Sequence, residues 1–161
     1  MATSLKNLSE FDPSDLPDGS SFYIGIAVAE WNPEITDALL EGALATLRKA
    51  GVKKKHIQIL RVPGTFELPL ACSWMARQKK TDAVIGLGCV IQGETRHFDF
   101  ICDATANAMQ QVALQSNKPC IFGVLTTENQ KQALERAGGK HGNKGDEAAV
   151  TALKMVALSR P

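Results

Sequence analysis

Phe22-Tyr-Ile-Gly-Ile-Ala-Val-Ala29 is an unbroken apolar run, and Glu30-Trp31-Asn32-Pro33-Glu34 follows it directly. An apolar stretch without polar alternation suits a strand covered on both faces. Asn32-Pro33-Glu34 then reads as a helix start, with a capping side chain, a proline where no amide is needed and an acid in the first turn. Ile35, Leu39, Ala43, Leu47 and Ala50 recur at helical spacing until Gly51 stops the helix. A buried strand, a short turn and an amphipathic helix form the repeating unit of an α/β protein.

The same unit recurs outward from this point. Ile57–Val62 reads as a strand and Phe66 to about Gln78 as a helix ending in a basic turn. Asp82–Ile91 is a long buried strand, followed by a helix from about Thr95 to Gln115. Pro119–Leu125 is the fourth strand, Glu128–Ala137 a helix ending at Gly138-Gly139, and Asp146 to about Leu158 the last helix. Strict alternation with short loops predicts one four-stranded parallel sheet with right-handed crossovers and helices on both faces. The expected fold is a three-layer α/β/α sandwich forming a single domain over residues 21–161. Residues 1–20 are polar and broken by Pro13, Pro17 and Gly19, so a flexible N-terminal arm is expected there.

Composition narrows the function. Hydrophobic residues are 44% and charged residues 22% of 161, which excludes wholesale disorder. Lys and Arg total 18 against 17 acids, a net +1, which argues against binding nucleic acid by bulk charge. No apolar run reaches the ~18 residues of a membrane span, and the N-terminus lacks a secretory pattern. A cytoplasmic protein without membrane association is expected. Cys72, Cys89, Cys102 and Cys120 lie far apart, each within an apolar run, and read as buried hydrophobes in a reducing compartment rather than metal ligands.

Ligands of such sheets bind outside the carboxyl ends of the strands. Four loops lie there: Ala29–Asn32, Val62–Glu67, Ile91–His97 and Leu125–Asn129. Trp31 is either a staple packed on the core or a stacking platform for a flat ring. Phe66 and Glu67 place an aromatic beside a carboxylate; Glu67 either pairs with a helix dipole or recognises a hydroxyl or ring N–H. In the third loop Gly93 allows a close turn, Thr95 is placed to cap the next helix, and amides at that helix end form an anion site. His97 in its first turn is suited to proton transfer. Arg136, Lys140, His141 and Lys144 surround a glycine-rich segment that reads either as a cationic helix end or as a rim for a phosphorylated substrate. No dinucleotide or nucleotide-hydrolase phosphate loop is present.

Ala29-Glu-Trp-Asn-Pro-Glu-Ile-Thr36, Val62-Pro-Gly-Thr-Phe-Glu-Leu-Pro69, Gly88-Cys-Val-Ile-Gln-Gly-Glu-Thr-Arg-His-Phe-Asp-Phe100, Phe122-Gly-Val-Leu-Thr-Thr-Glu-Asn129 and Glu135-Arg-Ala-Gly-Gly-Lys-His-Gly-Asn-Lys-Gly145 strongly resemble the lumazine synthase family. The match runs from about residue 20 to the C-terminus. It implies a flavodoxin-like fold and condensation of 5-amino-6-(D-ribitylamino)uracil with 3,4-dihydroxy-2-butanone 4-phosphate, giving 6,7-dimethyl-8-ribityllumazine, phosphate and water with no metal or other cofactor. By this resemblance Trp31, where the family often has Phe, stacks on the pyrimidine. Thr65, Phe66 and Glu67 hold the ribityl chain and ring edge, and Cys89, Val90 and Ile91 line the ring. Phe122 reaches a ligand bound mainly by a neighbouring subunit. Glu94, Thr95 and Arg136 bind the phosphate, with Lys144 a weaker candidate, and His97 transfers protons. The family forms homo-oligomers, as pentamers or 60-subunit icosahedral capsids with shared sites. The short turn at 138–145 resembles the shell-forming members, and riboflavin synthase is an implied partner. The competing readings are a non-catalytic flavin- or lumazine-binding or shell-forming protein of this fold, and a flavodoxin-like electron carrier.

Overall fold

A computed structural model describes residues 15–160. Strand β1 (Ile24–Ala29) leads to helix α1 (Pro33–Lys49), β2 (Ile57–Val62), α2 (Leu68–Ala76), β3 (Ala83–Ile91), α3 (His97–Ser116) and β4 (Cys120–Thr127). The short helix α4 (Gln130–Leu134), strands β5 (Ala137–Gly139) and β6 (Gly142–Asn143), and helix α5 (Lys144–Ser159) complete the chain. The main sheet is parallel throughout in the order β2-β1-β3-β4, with Ile24 opposite both Ile57 and Ala83, and Ile91 opposite Thr127. This is the flavodoxin-like three-layer arrangement expected. Among the described residues no helix is long and apolar enough to cross a membrane.

The two faces of β1 explain the two layers. Ile24, Ile26 and Val28 project into a core with Leu39 and Leu47 of α1 and Leu153 of α5. Gly25, Ala27 and Ala29 form the opposite, smaller face, against which α2 packs. A Cβ on Gly25 would stand 2.8 Å from Met75 Sδ, and one on Gly86 in β3 2.7 Å from Met109 Cε. The glycines thus admit the methionines of α2 and α3, and a methyl at either position would overpack this layer.

Three expectations are corrected. The helix expected from Phe66 opens as a 3-10 turn over Thr65–Glu67, because Pro69 has no amide to give to the Thr65 carbonyl. The helix expected over 128–137 stops at Leu134, so Arg136 lies beyond it. The chain turns at Gly138 (φ 109°) and Gly142 (φ 72°) into the β5–β6 hairpin, conformations that favour glycine. The side chain of Asn32 does not cap α1. Of the expected arm, residues 1–14 lie outside the described residues. Its end folds against the body, with Leu16 on the core and the Gly19 amide donating to the Ala50 carbonyl at 2.7 Å.

Candidate active site

The chain leaves β1 for β2 on one side and returns to β3 on the other, so the carboxyl ends of β1 and β3 flank a switch point where neighbouring loops diverge. The ladders continue into these loops. The Glu30 amide donates to the Val62 carbonyl and the Gln92 amide to the Thr127 carbonyl, both at 2.8 Å. The edge of the crevice is therefore an extension of the rigid sheet rather than free loop.

Trp31 stands outward from this edge, 71% exposed, and does not pack as a core staple. It lies beside Gly64: a Cβ there would lie 3.4 Å from Trp31 Cδ1 and 3.0 Å from Glu67 Oε2. Indole and carboxylate thus flank one glycine, an apolar plate beside an acceptor. Thr65 is buried and packs on β3, its Oγ1 2.8 Å from where a Cβ of Gly88 would be. That hydroxyl is buried and has no hydrogen-bond partner among the described residues, an arrangement native proteins rarely leave without purpose. The Thr65 carbonyl accepts from Thr105 Oγ1 at 3.5 Å. Phe66 is exposed, while Val90 and Ile91 at the end of β3 are half-buried. Cys89 is buried, and burial pushes its thiol up to about 11, so it stays protonated at neutral pH.

Glu94, Thr95 and His97 cluster at the entrance to α3, all exposed. The His97 amide donates to Thr95 Oγ1 at 3.4 Å, a long bond, and Arg96 rather than Thr95 is the residue flanking the helix. Arg96 leans on Asp99 at 3.5 Å and over the Phe100 ring at 5.9 Å. Gly93 has open space where a Cβ would be and does not take a left-handed backbone, so the turn itself does not demand glycine.

One of the expected residues stands apart from this crevice within one chain. Phe122 lies on the β4 edge strand opposite Gly86, 42% exposed, and five residues before Thr127 places it about 16 Å from the carboxyl edge. Arg136 sits between α4 and β5, half-buried, with a guanidinium N–H donating to the Gln132 carbonyl at 2.9 Å. Lys144 pairs with Glu147 through its ammonium and is held in α5. Asn32 is the residue whose role the sequence pattern misassigned. Its side-chain amide donates across the switch point to the Cys89 carbonyl at 3.0 Å.

Comparison with known proteins gives a consistent result. Residues 21–160 match the family described as 6,7-dimethyl-8-ribityllumazine synthase. A protein of that name from Cytophaga hutchinsonii is 60% identical over 157 residues, covering 98% of each chain. Those from Porphyromonas gingivalis and Parabacteroides distasonis are 54% and 53% identical, each over 99% of both chains.

Proposed function

This chain belongs to the 6,7-dimethyl-8-ribityllumazine synthase family, and from that membership we propose that the crevice between the ends of β1 and β3 is its synthase site, completed by a second copy of the chain. The enzyme is a transferase of riboflavin biosynthesis. It condenses 5-amino-6-(D-ribitylamino)uracil with 3,4-dihydroxy-2-butanone 4-phosphate and releases phosphate.

The observation that carries the site assignment is the convergence of Trp31, Thr65 and Glu67 about Gly64 and Gly88. An exposed indole offers a face for the pyrimidine, and the Glu67 carboxylate offers a polar contact for the ribityl chain and ring edge, with Thr65 in the floor beneath them. Phe66, Cys89, Val90 and Ile91 supply the remaining wall. At the other end the Thr95 hydroxyl, the backbone of Glu94 and the amino end of α3 suit a phosphate dianion. His97, the first residue of α3, gives and takes protons as the imine forms, phosphate leaves and the ring closes. The substrate amine is already nucleophilic, so orienting two substrates supplies much of the acceleration and proton transfer a further ~10²–10⁴-fold.

The remoteness of Phe122 supports a shared site, in which the neighbour's Phe122 closes over the ring and its Arg136 meets the phosphate. Phe66 in the turn before α2 and Leu70 and Trp74 on α2 are exposed at helical spacing, with Phe100 and Leu114 exposed on α3. Apolar exposure of this extent suits contact with further subunits. A pentamer, built up into a 60-subunit cytoplasmic shell that can associate with riboflavin synthase, is the assembly we favour. Mixing the purified protein with both substrates tests the reaction: lumazine fluorescence with one phosphate released per turnover is expected, and neither appearing overturns it. Gel filtration at a megadalton size supports the shell, and a species near five subunits refutes it.

A further inference from the structure

Asn32 stands directly before α1. A residue there ordinarily has an extended backbone and turns its side chain back to an amide in the first turn. Asn32 does neither: its backbone is left-handed, φ 58° and ψ 55°, and its side chain makes no capping bond. Among the described residues the only other non-glycine with positive φ is Asn117, which ends α3, where a left-handed residue is common. At Asn32 the conformation turns the side chain away from the helix and across the switch point, so that Nδ2 reaches the Cys89 carbonyl at 3.0 Å. Meanwhile its own carbonyl accepts from the Ile35 and Thr36 amides at 2.9 and 3.0 Å, which starts α1.

One residue therefore ties together the start of α1 and the end of β3, and it does so immediately beside Trp31. The opposite side of the same turn is held by the Glu30 amide on the Val62 carbonyl. Trp31, being largely exposed, has little packing of its own to set its direction, so the backbone beneath it must.

We infer that Asn32 is a positioning residue of the synthase site, a strut across the switch point that holds the Trp31 indole at the pyrimidine wall. This rests on the reading of Trp31 as the stacking platform, and goes beyond it by naming what aims the platform. Two contributions separate by substitution. Asn32→Gly keeps the left-handed backbone, which glycine adopts freely, and removes the strut. Asn32→Ala removes the strut and also strains the backbone.

The test uses full-length protein in a Trp74→Phe background, which leaves Trp31 as the only indole of the two in the chain. In Asn32→Gly the KM for the ribitylaminopyrimidine is expected to rise about tenfold, the size of one hydrogen bond, and somewhat further in Asn32→Ala. The KM for the butanone phosphate stays within about twofold, and Trp31 emission becomes more readily quenched by acrylamide. If Asn32→Gly leaves the pyrimidine KM and the quenching unchanged, the inference is overturned. It is equally overturned if both KM values rise together with a fall in Tm, which would mark general loosening. If the parent protein makes no lumazine, the synthase reading fails instead, and the quenching comparison alone decides whether the strut holds Trp31.

Discussion

Gly64→Ala separates stability from function within this site. Gly64 has an extended backbone, φ −148° and ψ 179°, which alanine adopts without strain. By shrinking the unfolded ensemble, the substitution stabilises the fold by ~0.4–1 kcal/mol, a rise in Tm of about 1–4 °C for a chain of this size. The new methyl would lie 3.0 Å from Glu67 Oε2 and 3.4 Å from Trp31 Cδ1. The first contact is too close, and since Glu67 is exposed its carboxylate gives way by a few tenths of an ångström instead of the fold. That small retreat misaligns the acceptor. A hydrogen bond from a substrate hydroxyl to a carboxylate contributes ~1.5–3 kcal/mol, and losing about half of it, ~1 kcal/mol, corresponds to about fivefold in KM. Steady-state kinetics with the pyrimidine varied at saturating butanone phosphate measures this, beside a thermal melt of the same preparation. A pyrimidine KM within about twofold of the parent, with Tm raised as expected, would show that Glu67 does not contact that substrate. A lowered Tm would instead refute the account of the backbone.

Gly145→Ala should behave in the opposite sense. Its Cβ would fall 1.9 Å from the Leu39 carbonyl oxygen, where α5 crosses α1, and backbone cannot yield as a side chain does. Overpacking at the upper end of the usual ~1–3 kcal/mol lowers Tm by about 6–12 °C, and an unchanged melt would contradict so close a crossing. His97→Ala is expected to lower kcat by ~10²–10⁴-fold with both KM values little changed, whereas Arg136→Ala mainly raises the KM for the phosphorylated substrate. A wild-type rate for the first removes the proton-transfer assignment. Burial raises the Asp146 carboxyl above its ordinary range, opposed by the Thr46 hydroxyl and by Lys49. The folded state therefore favours the protonated acid, a contribution present below the unfolded pKa of 3.8 and lost as pH rises through the folded value. Wild-type stability measured in urea should gain on Asp146→Asn as the solution is acidified, and the reverse trend would refute the burial argument. Cys72 and Cys89, both buried with raised thiol pKa values, should resist iodoacetamide at neutral pH until the protein is unfolded; rapid native labelling of either by mass spectrometry would contradict their burial.

The layers and the four site loops were legible because each depends on a repeated or strongly local signal. The apolar runs at 22–29 and 82–91 read as covered strands and those at 57–62 and 119–125 as strands, and parallel order followed from the helices between them. Strand ends then located the loops, and Trp31, Glu67 and His97 were conspicuous there because a plain connector has no use for them. The hairpin at 137–143 was not legible in the same way. Leu134, Glu135 and Arg136 continue a helical composition, and it is the positive φ of Gly138 and Gly142, a backbone choice with no periodic trace, that turns the chain.

Asn32 shows the deeper reason why part of a site escapes local reading. Asparagine before a proline and an acid is the ordinary signature of a helix cap, and capping satisfies an orphan amide at short range. The structure uses the same residue for a bond 57 positions away in sequence, to a carbonyl that only the parallel pairing of β1 with β3 brings near. Local propensity and tertiary demand competed for one side chain, and the tertiary bond won at the turn that carries the exposed Trp31 indole. Asparagine suits both roles, since it tolerates the left-handed backbone and carries a donor on a short arm. Glycine would supply only the first property and alanine neither. The departure from the local rule falls at the proposed site, where departures from otherwise consistent local patterning are expected to concentrate.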